Sequence, residues 1–155
     1  KKSDKVRIPS NIIKDTQLCF RFLRGLADTD FCVMFKKGDR INNSYPKIVG
    51  EFASKCLIKD ICKILDKIEI SYYTNKRVNS SNFGKFTHYV IEINGKNNLM
   101  KWLNFIGFSN PKHISKILVW KKLGYCPPRT TYNERIKILE EENLSIPPLS
   151  PHGQI

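Results

Sequence analysis

The stretch from Thr16 to Asp30 constrains this chain more than any other. Leu18, Phe22 and Leu26, with Phe20, Leu23 and Ala27, recur at spacings of three and four. Apolar residues therefore cover most of the circumference of a helix, the pattern of one buried nearly all round. Gly25 sits in its middle, where glycine costs about 1 kcal/mol relative to alanine. That cost makes sense where another backbone must come close. Two carboxylates, Asp28 and Asp30, fall in the last turn, against the negative end of the helix dipole, which disfavours each by about 0.3–1 kcal/mol. Acids there serve stability poorly but suit a divalent cation that takes oxygen ligands from both. The plainer reading of the same residues is a core helix with a solvated acidic end.

Charge narrows the class of partner. The 155 residues hold 27 basic and 14 acidic groups, a net charge of +13. The last thirty residues carry three basic groups (Arg129, Arg135, Lys137) and four acidic ones (Glu134, Glu140, Glu141, Glu142), so the excess lies upstream of them. Such an imbalance favours a polyanion through counterion release and makes binding steeply salt-dependent. No apolar run approaches the roughly 20 residues of a membrane span, and the opening residues lack the pattern of a secretory leader. A cytoplasmic protein with no membrane partner is expected. Cys19, Cys32, Cys56, Cys62 and Cys126 are odd in number and without Cys-x-x-Cys spacing, and His88, His113 and His152 are scattered. No zinc site follows from that spacing; the cysteines read as reduced thiols acting as small hydrophobes.

Read in order, the chain alternates one helix with two strands. Residues 1–10 form a basic lead-in, and Ser10-Asn11 or Asp15-Thr16 caps the first helix. After Asp30 come a strand at Phe31–Phe35, a turn centred on Gly38-Asp39, and a second strand at Lys47–Ala53 with Gly50 as a bulge or twist point. Ser54 caps an amphipathic helix whose apolar face is Leu57, Ile58, Ile61, Ile64, Leu65 and Ile68. A third strand spans Ile70–Asn79, Ser80–Gly84 turn the chain, and a fourth strand spans Lys85–Asn94. A helix at Asn98–Phe105 follows, stopped by Gly107. Asn110-Pro111 opens another helix that Gly124 ends. The capping box Thr131-x-x-Glu134 starts a last one, before the Pro-rich residues 147–155. The expected architecture is α+β: an α-β-β-α-β-β-α repeat in residues 11–125 with a four-stranded antiparallel sheet and helices on one face, then a C-terminal helix and tail in 126–155.

The run Phe22-Leu23-Arg24-Gly25-Leu26-Ala27-Asp28-Thr29-Asp30 resembles the signature of the LAGLIDADG homing endonucleases in its archaeal form. The order of elements after it is similar to one repeat of that family. Gly95-Lys96-Asn97-Asn98-Leu99, Ile106-Gly107-Phe108-Ser109-Asn110-Pro111 and Gly124-Tyr125-Cys126-Pro127-Pro128 also resemble archaeal members, so the likeness covers roughly residues 8–140. It implies a site-specific double-stranded DNA endonuclease of intron or intein mobility. In such proteins the signature helices of two repeats pack together, here through Gly25, Leu26 and Phe22. Asp30 is then the catalytic, metal-binding carboxylate. The Thr29 carbonyl joins the coordination, and Asp28 supports the metal or the helix interface. Mg²⁺ or Mn²⁺ is the implied cofactor, and the partner is an identical chain or a second repeat, because only one signature is present. The paired sheets are expected to lie along the major groove.

Three features depart from the family pattern. Phe31 stands where a glycine closes the signature, and phenylalanine resists positive φ. A lysine that single-chain cleaving members place near the end of the last strand has Ile91 or Ile93 in its stead, with Lys96 nearest. The single signature supplies a single acid. Phe31 and the missing lysine support a rival reading, a catalytically inactive DNA- or RNA-binding protein of the same fold, while the single acid requires a homodimer or a second repeat for activity. For either reading the candidate DNA contacts are Lys36, Lys37, Arg40, Asn42, Asn43, Tyr45 and Lys47 around the first hairpin. Tyr73, Asn75, Arg77, Asn79 and Lys85 surround the second. Lys112, Lys116, Lys121 and Lys122 are candidate phosphate clamps, and His88 reads as structural.

Overall fold

Asp15 decides where the long helix begins. Its carboxylate accepts the amide of Leu18 at 3.0 Å. A short helix α1 (Ser10–Ile13) therefore closes first and α2 (Thr16–Asp30) starts afresh. The computed structural model describes residues 5–37, 43–82 and 84–141. Along them α2 leads into β1 (Phe31–Lys37), β2 (Asn43–Phe52), α3 (Lys55–Lys67), β3 (Tyr73–Ser81), β4 (Gly84–Asn94) and α4 (Lys96–Phe105). Two C-terminal helices follow, α5 (Pro111–Leu123) and α6 (Tyr132–Glu140). From α2 to α4 this is the expected α-β-β-α-β-β-α order, and the strands form one antiparallel sheet in the order β1-β2-β4-β3. The fold fits the LAGLIDADG type. Gly38, Asp39, Arg40 and Asn42, Phe83 in the second turn, and the Pro-rich residues 147–155 lie outside the described residues. No described helix is long and apolar enough to cross a membrane.

Period-two alternation gives the sheet one apolar and one polar face. Val33, Ile48, Ile91 and Ile93 point to the helices, where they meet Leu23 and Ala27 of α2, Ile61 and Leu65 of α3, Leu99 and Trp102 of α4 and Ile117 of α5. Leu139 of α6 joins the same core. Residues of the opposite phase form an outer face, turned away from these helices.

The chain leaves α2 without the positive φ that phenylalanine resists. Phe31 is plain extended backbone (φ −101, ψ 153). Its ring is buried, 5.4 Å from the rings of both Phe52 and Trp102. Gly50, expected as a bulge or twist point, is not a bulge: it sits in an unbroken ladder opposite Phe31 and Ile91. A Cβ there would lie 2.7 and 2.8 Å from the Phe52 and Phe31 rings. The glycine is thus room for two aromatics, and close packing, not a break in pairing, explains it.

Other strand limits shift by one or two residues, and two strand starts move further. β2 starts at Asn43 rather than Lys47, because pairing with β1 carries polar residues of weak strand preference into the ladder. Pro46 is tolerated because pairing with β4 begins only at Lys47, so its missing N–H is not needed. β3 starts at Tyr73 rather than Ile70; Glu69, at φ 53, turns the chain and Ile70 is buried.

The basic lead-in is docked from Val6 onward. The Arg7 guanidinium grips Asp60 of α3 at 2.8 and 3.2 Å, the Ile8 amide donates to the same carboxylate at 3.3 Å, and the Ser54 hydroxyl donates to the Val6 carbonyl at 2.6 Å. Asp60 is only 1% exposed, and the hydrogen bonds from Arg7 hold its carboxyl below the usual carboxylate range. A depressed folded value means a contribution that is complete above the ordinary carboxylate pKa and is lost as pH falls through the folded one. Asp60→Asn is expected to lower stability by about 1–3 kcal/mol at neutral pH. In urea titrations across pH, that deficit should shrink below the ordinary carboxylate value; a deficit constant to low pH would refute the assignment.

Candidate functional site

The acidic end of α2 separates its two carboxylates by task. Asp28 Oδ1 accepts the amides of Ser109 and Asn110, each at 2.9 Å, and the Asn110 side chain returns a 2.9 Å bond to the Asp28 carbonyl. Asn110 is itself the N-cap of α5. The carboxylate that the α2 dipole disfavours is therefore held at the positive end of another helix. Arg24 Nε adds a 2.7 Å bond to the Ile106 carbonyl, so the signature helix is fastened along the whole α4–α5 connection.

Asp30 is exposed, and among the described residues no cation pairs with it. The Thr29 hydroxyl lies 2.9 Å from Asp30 Oδ2 and 3.2 and 3.3 Å from the carbonyls of Leu26 and Gly25. Having one proton, it donates to one of them at a time. The Thr29 carbonyl belongs to the last turn, where intrahelical donors have run out. A carboxylate and a peptide carbonyl are hard oxygen donors of the kind Mg²⁺ or Mn²⁺ takes. Among the described residues no group of three or more His, Cys, Asp or Glu gathers that could hold a metal. One chain thus offers a donor pair rather than a complete shell.

A stripe of α2 faces away from the core. Leu18, Gly25 and Thr29 are exposed along it, with Phe22 and Leu26 half-buried beside them. A Cβ on Gly25 would meet nothing within 4 Å. The close approach that a mid-helix glycine suggested is not made among the described residues.

The outer face of the sheet collects part of the expected DNA-contacting set. Register brings Lys36, Tyr45 and Lys47 to it from the first hairpin, and Tyr73, Asn75, Arg77 and Asn79 from the second. Lys37 and Asn43 pair across a register shift at the hairpin end, and Lys85 has the opposite phase, opposite Ser80. Arg40 and Asn42 lie outside the described residues. Sequence reading missed the two acids beneath the cations. Glu92 takes Lys47 at 2.5 Å and Arg77 at 4.0 Å; Glu51 takes Arg77 at 3.8 Å and lies 3.6 Å from His88 Nδ1. Lys47 is accordingly buried within the network rather than free. Its ammonium pushes Lys36 below the usual lysine range. Cys32, read as a buried thiol, is exposed on this same face.

The lysines of α5 divide as well. Lys116 donates to the Val33 carbonyl at 2.9 Å and Lys122 to the Ile138 carbonyl at 2.6 Å. Burial pushes Lys121 below its usual value. Lys112 is exposed at the start of the helix.

The two carboxylates should respond oppositely to neutralisation. Asp28→Asn is expected to lower stability by about 1–3 kcal/mol, because two amides lose a charged acceptor. Asp30→Asn should raise it by about 0.3–1 kcal/mol by relieving repulsion at the helix end. Urea denaturation of both variants checks the pair; equal losses would contradict the division.

No family model matches the chain. It is 34% identical over 118 residues to the replication factor C small subunit of Methanocaldococcus jannaschii, a likeness covering 76% of this chain. The chain spans only 6% of the length of that relative.

Proposed function

We propose that this chain is one half of a LAGLIDADG-type, site-specific double-stranded DNA endonuclease. The observation that carries the reading is the open stripe of α2. An exposed glycine lies in mid-helix, with an uncommitted carboxylate at the end of the same surface. A second helix of the same kind, from an identical chain or a second repeat, would give Gly25 the close neighbour it lacks and bring a second acid beside Asp30. Asp30 and the Thr29 carbonyl would hold Mg²⁺ or Mn²⁺, which when bound activates water and steadies the leaving oxygen of a phosphodiester. The outer sheet face would orient the duplex. Its exposed Arg77, Asn75 and Asn79 offer donors and acceptors to base edges, each good pair discriminating by about 1–3 kcal/mol. A likeness to so small a part of a much longer replication protein supports an inserted element of the intein or intron kind.

An inactive binding protein of the same fold is the second reading. It is favoured by Ile91 and Ile93, whose side chains are fully in the core, so neither strand position can present a cation. Cleavage of a randomised duplex library with Mg²⁺ or Mn²⁺ at low salt decides between the two. Sequence-selective double-strand breaks are expected from the parent chain and their loss from Asp30→Asn. Salt-sensitive binding without cleavage, equal in both proteins, would leave the binding protein.

Gly25→Ala separates pairing from folding. With nothing within 4 Å of the new methyl, the isolated chain should gain about 0.5–1 kcal/mol, while self-association in analytical ultracentrifugation and cleavage both fall. A variant that cuts and associates normally would remove α2 as the pairing surface.

A further inference from the structure

A cleft of about 310 Å³ opens between the edge strand β1 and the loop joining α5 to α6. Among the described residues three cations line it, Lys116, Arg129 and Arg135, and no carboxylate does. Arg135 is the unusual member, being only 4% exposed. Its Nε donates to the Ser115 hydroxyl at 3.0 Å and its Nη1 donates to the Thr130 carbonyl, both neutral acceptors. The acid beside it in sequence, Glu134, is committed to the capping box, with Oε2 accepting the Thr131 amide and hydroxyl at 2.6 and 2.9 Å. Among the described residues no carboxylate forms an ion pair with Arg135. Buried charges are ordinarily paired, since an uncompensated one is expensive to desolvate.

The surroundings fit an anion. Lys116 uses one proton on the Val33 carbonyl and keeps two. Arg129 is exposed and held at φ 60, a left-handed conformation uncommon for a residue with a side chain. Pro127, Pro128 and Phe35 supply apolar walls, against which a charge-assisted hydrogen bond is stronger than in open water. Met34, also in the lining, stands at this margin on the outer face of the edge strand, opposite Lys47 and two residues from Lys36. A duplex lying on that face would carry its sugar-phosphate backbone past this margin.

We propose that the cleft is a phosphate-binding site, occupied by a backbone phosphate of duplex DNA that rests on the outer sheet face. The proposal rests on the DNA-binding reading above and adds the C-terminal helices to the DNA-gripping surface. The same oxyanion chemistry would suit a free phosphate-bearing molecule, so the test has two arms.

In the first arm inorganic phosphate is titrated into the chain, with chloride at matched ionic strength as control, and amide resonances are followed by NMR. Saturable shifts confined to Cys126, Arg129, Thr130 and Asn43 are expected. They should be lost in Lys116→Met/Arg129→Asn, which keeps an aliphatic stem at one position and a residue tolerant of positive φ at the other. In the second arm duplex affinity is measured against salt. The double variant should bind every sequence more weakly, with the slope of log affinity against log salt reduced by about 2. Absence of phosphate shifts in the parent chain overturns the site. Phosphate shifts with an unchanged duplex slope overturn the duplex as its source and assign the cleft to a free phosphate. A parent chain that binds no duplex at any salt overturns the proposed function itself, and the phosphate arm still decides on the cleft.

Discussion

One oxygen, Asp28 Oδ1, sets the relation between the two functional parts of this molecule. It takes two amides at the start of α5 while standing in the last turn of α2, where the field of its own helix opposes it. The positive end of one helix thus neutralises an acid stranded at the negative end of another. Because Asn110 closes the loop by returning a bond to the Asp28 carbonyl, the contact fixes orientation as well as distance. With Asp28 tied inward, Asp30, two residues later, is left on the solvent side. β1 starts at the next residue, so the position of Asp30 is set by packing on both sides: Asp28 behind it and the buried Phe31 ring ahead of it.

Phe31 illustrates how one position can be legible as unusual and still be misread. Sequence alone marked it as a bulky residue where the chain should turn tightly. What it could not supply was the partner across the ladder. Gly50 gives its own Cβ volume to the rings of Phe31 and Phe52, and that pairing depends on a register that becomes visible only when the strands are matched. The helices were more legible, because their 3.6-residue apolar period, the caps Asp15, Ser54 and Asn110, and the stop at Gly124 are all local signals. Strand limits followed long-range pairing instead, which carried Asn43–Pro46 into the sheet and left Ile70–Tyr72 out of it. The roles of Asp28 and Arg135 were illegible for the same reason: their partners are non-local or are backbone groups that no side-chain pattern announces.

The outer face shows why a list of basic residues describes the charge of a surface poorly. Glu51 and Glu92 sit among Lys47, Arg77 and His88, so the centre of the sheet is close to balanced while the excess charge lies at its margins. An ion pair of this kind holds long side chains in place before a ligand arrives, at the cost of attraction for phosphate. The carboxylates are also acceptors, the group that suits a cytosine amine, whereas arginine and lysine suit guanine. A face built of paired acids and bases is therefore better fitted to discriminating base edges than to gripping a backbone. If a duplex lies there as proposed, affinity for its phosphates would have to come from cations at the rim.

Three local choices in α2 work against the stability of a single chain. Gly25 occupies a helix interior, Leu18 exposes 39% of its surface, and Asp30 faces the carbonyl end of the helix. A Cβ on Gly25 would meet nothing within 4 Å, and Asp30 pairs with no described cation and has only the Thr29 hydroxyl beside it, although the chain elsewhere places glycine and buried acids with clear compensation, as at Gly50 and Asp60. Sequences that fold reliably keep local and global preferences in agreement, and exceptions gather at functional surfaces. Here the exceptions are confined to one stripe of one helix and end at one carboxylate. A second helix would bury the leucine, approach the glycine, and add an acid whose repulsion with Asp30 only a cation relieves. If the proposed pairing and metal binding both occur, they would be linked: each would lower the cost of the other, and the isolated chain would be the less favourable state of the surface.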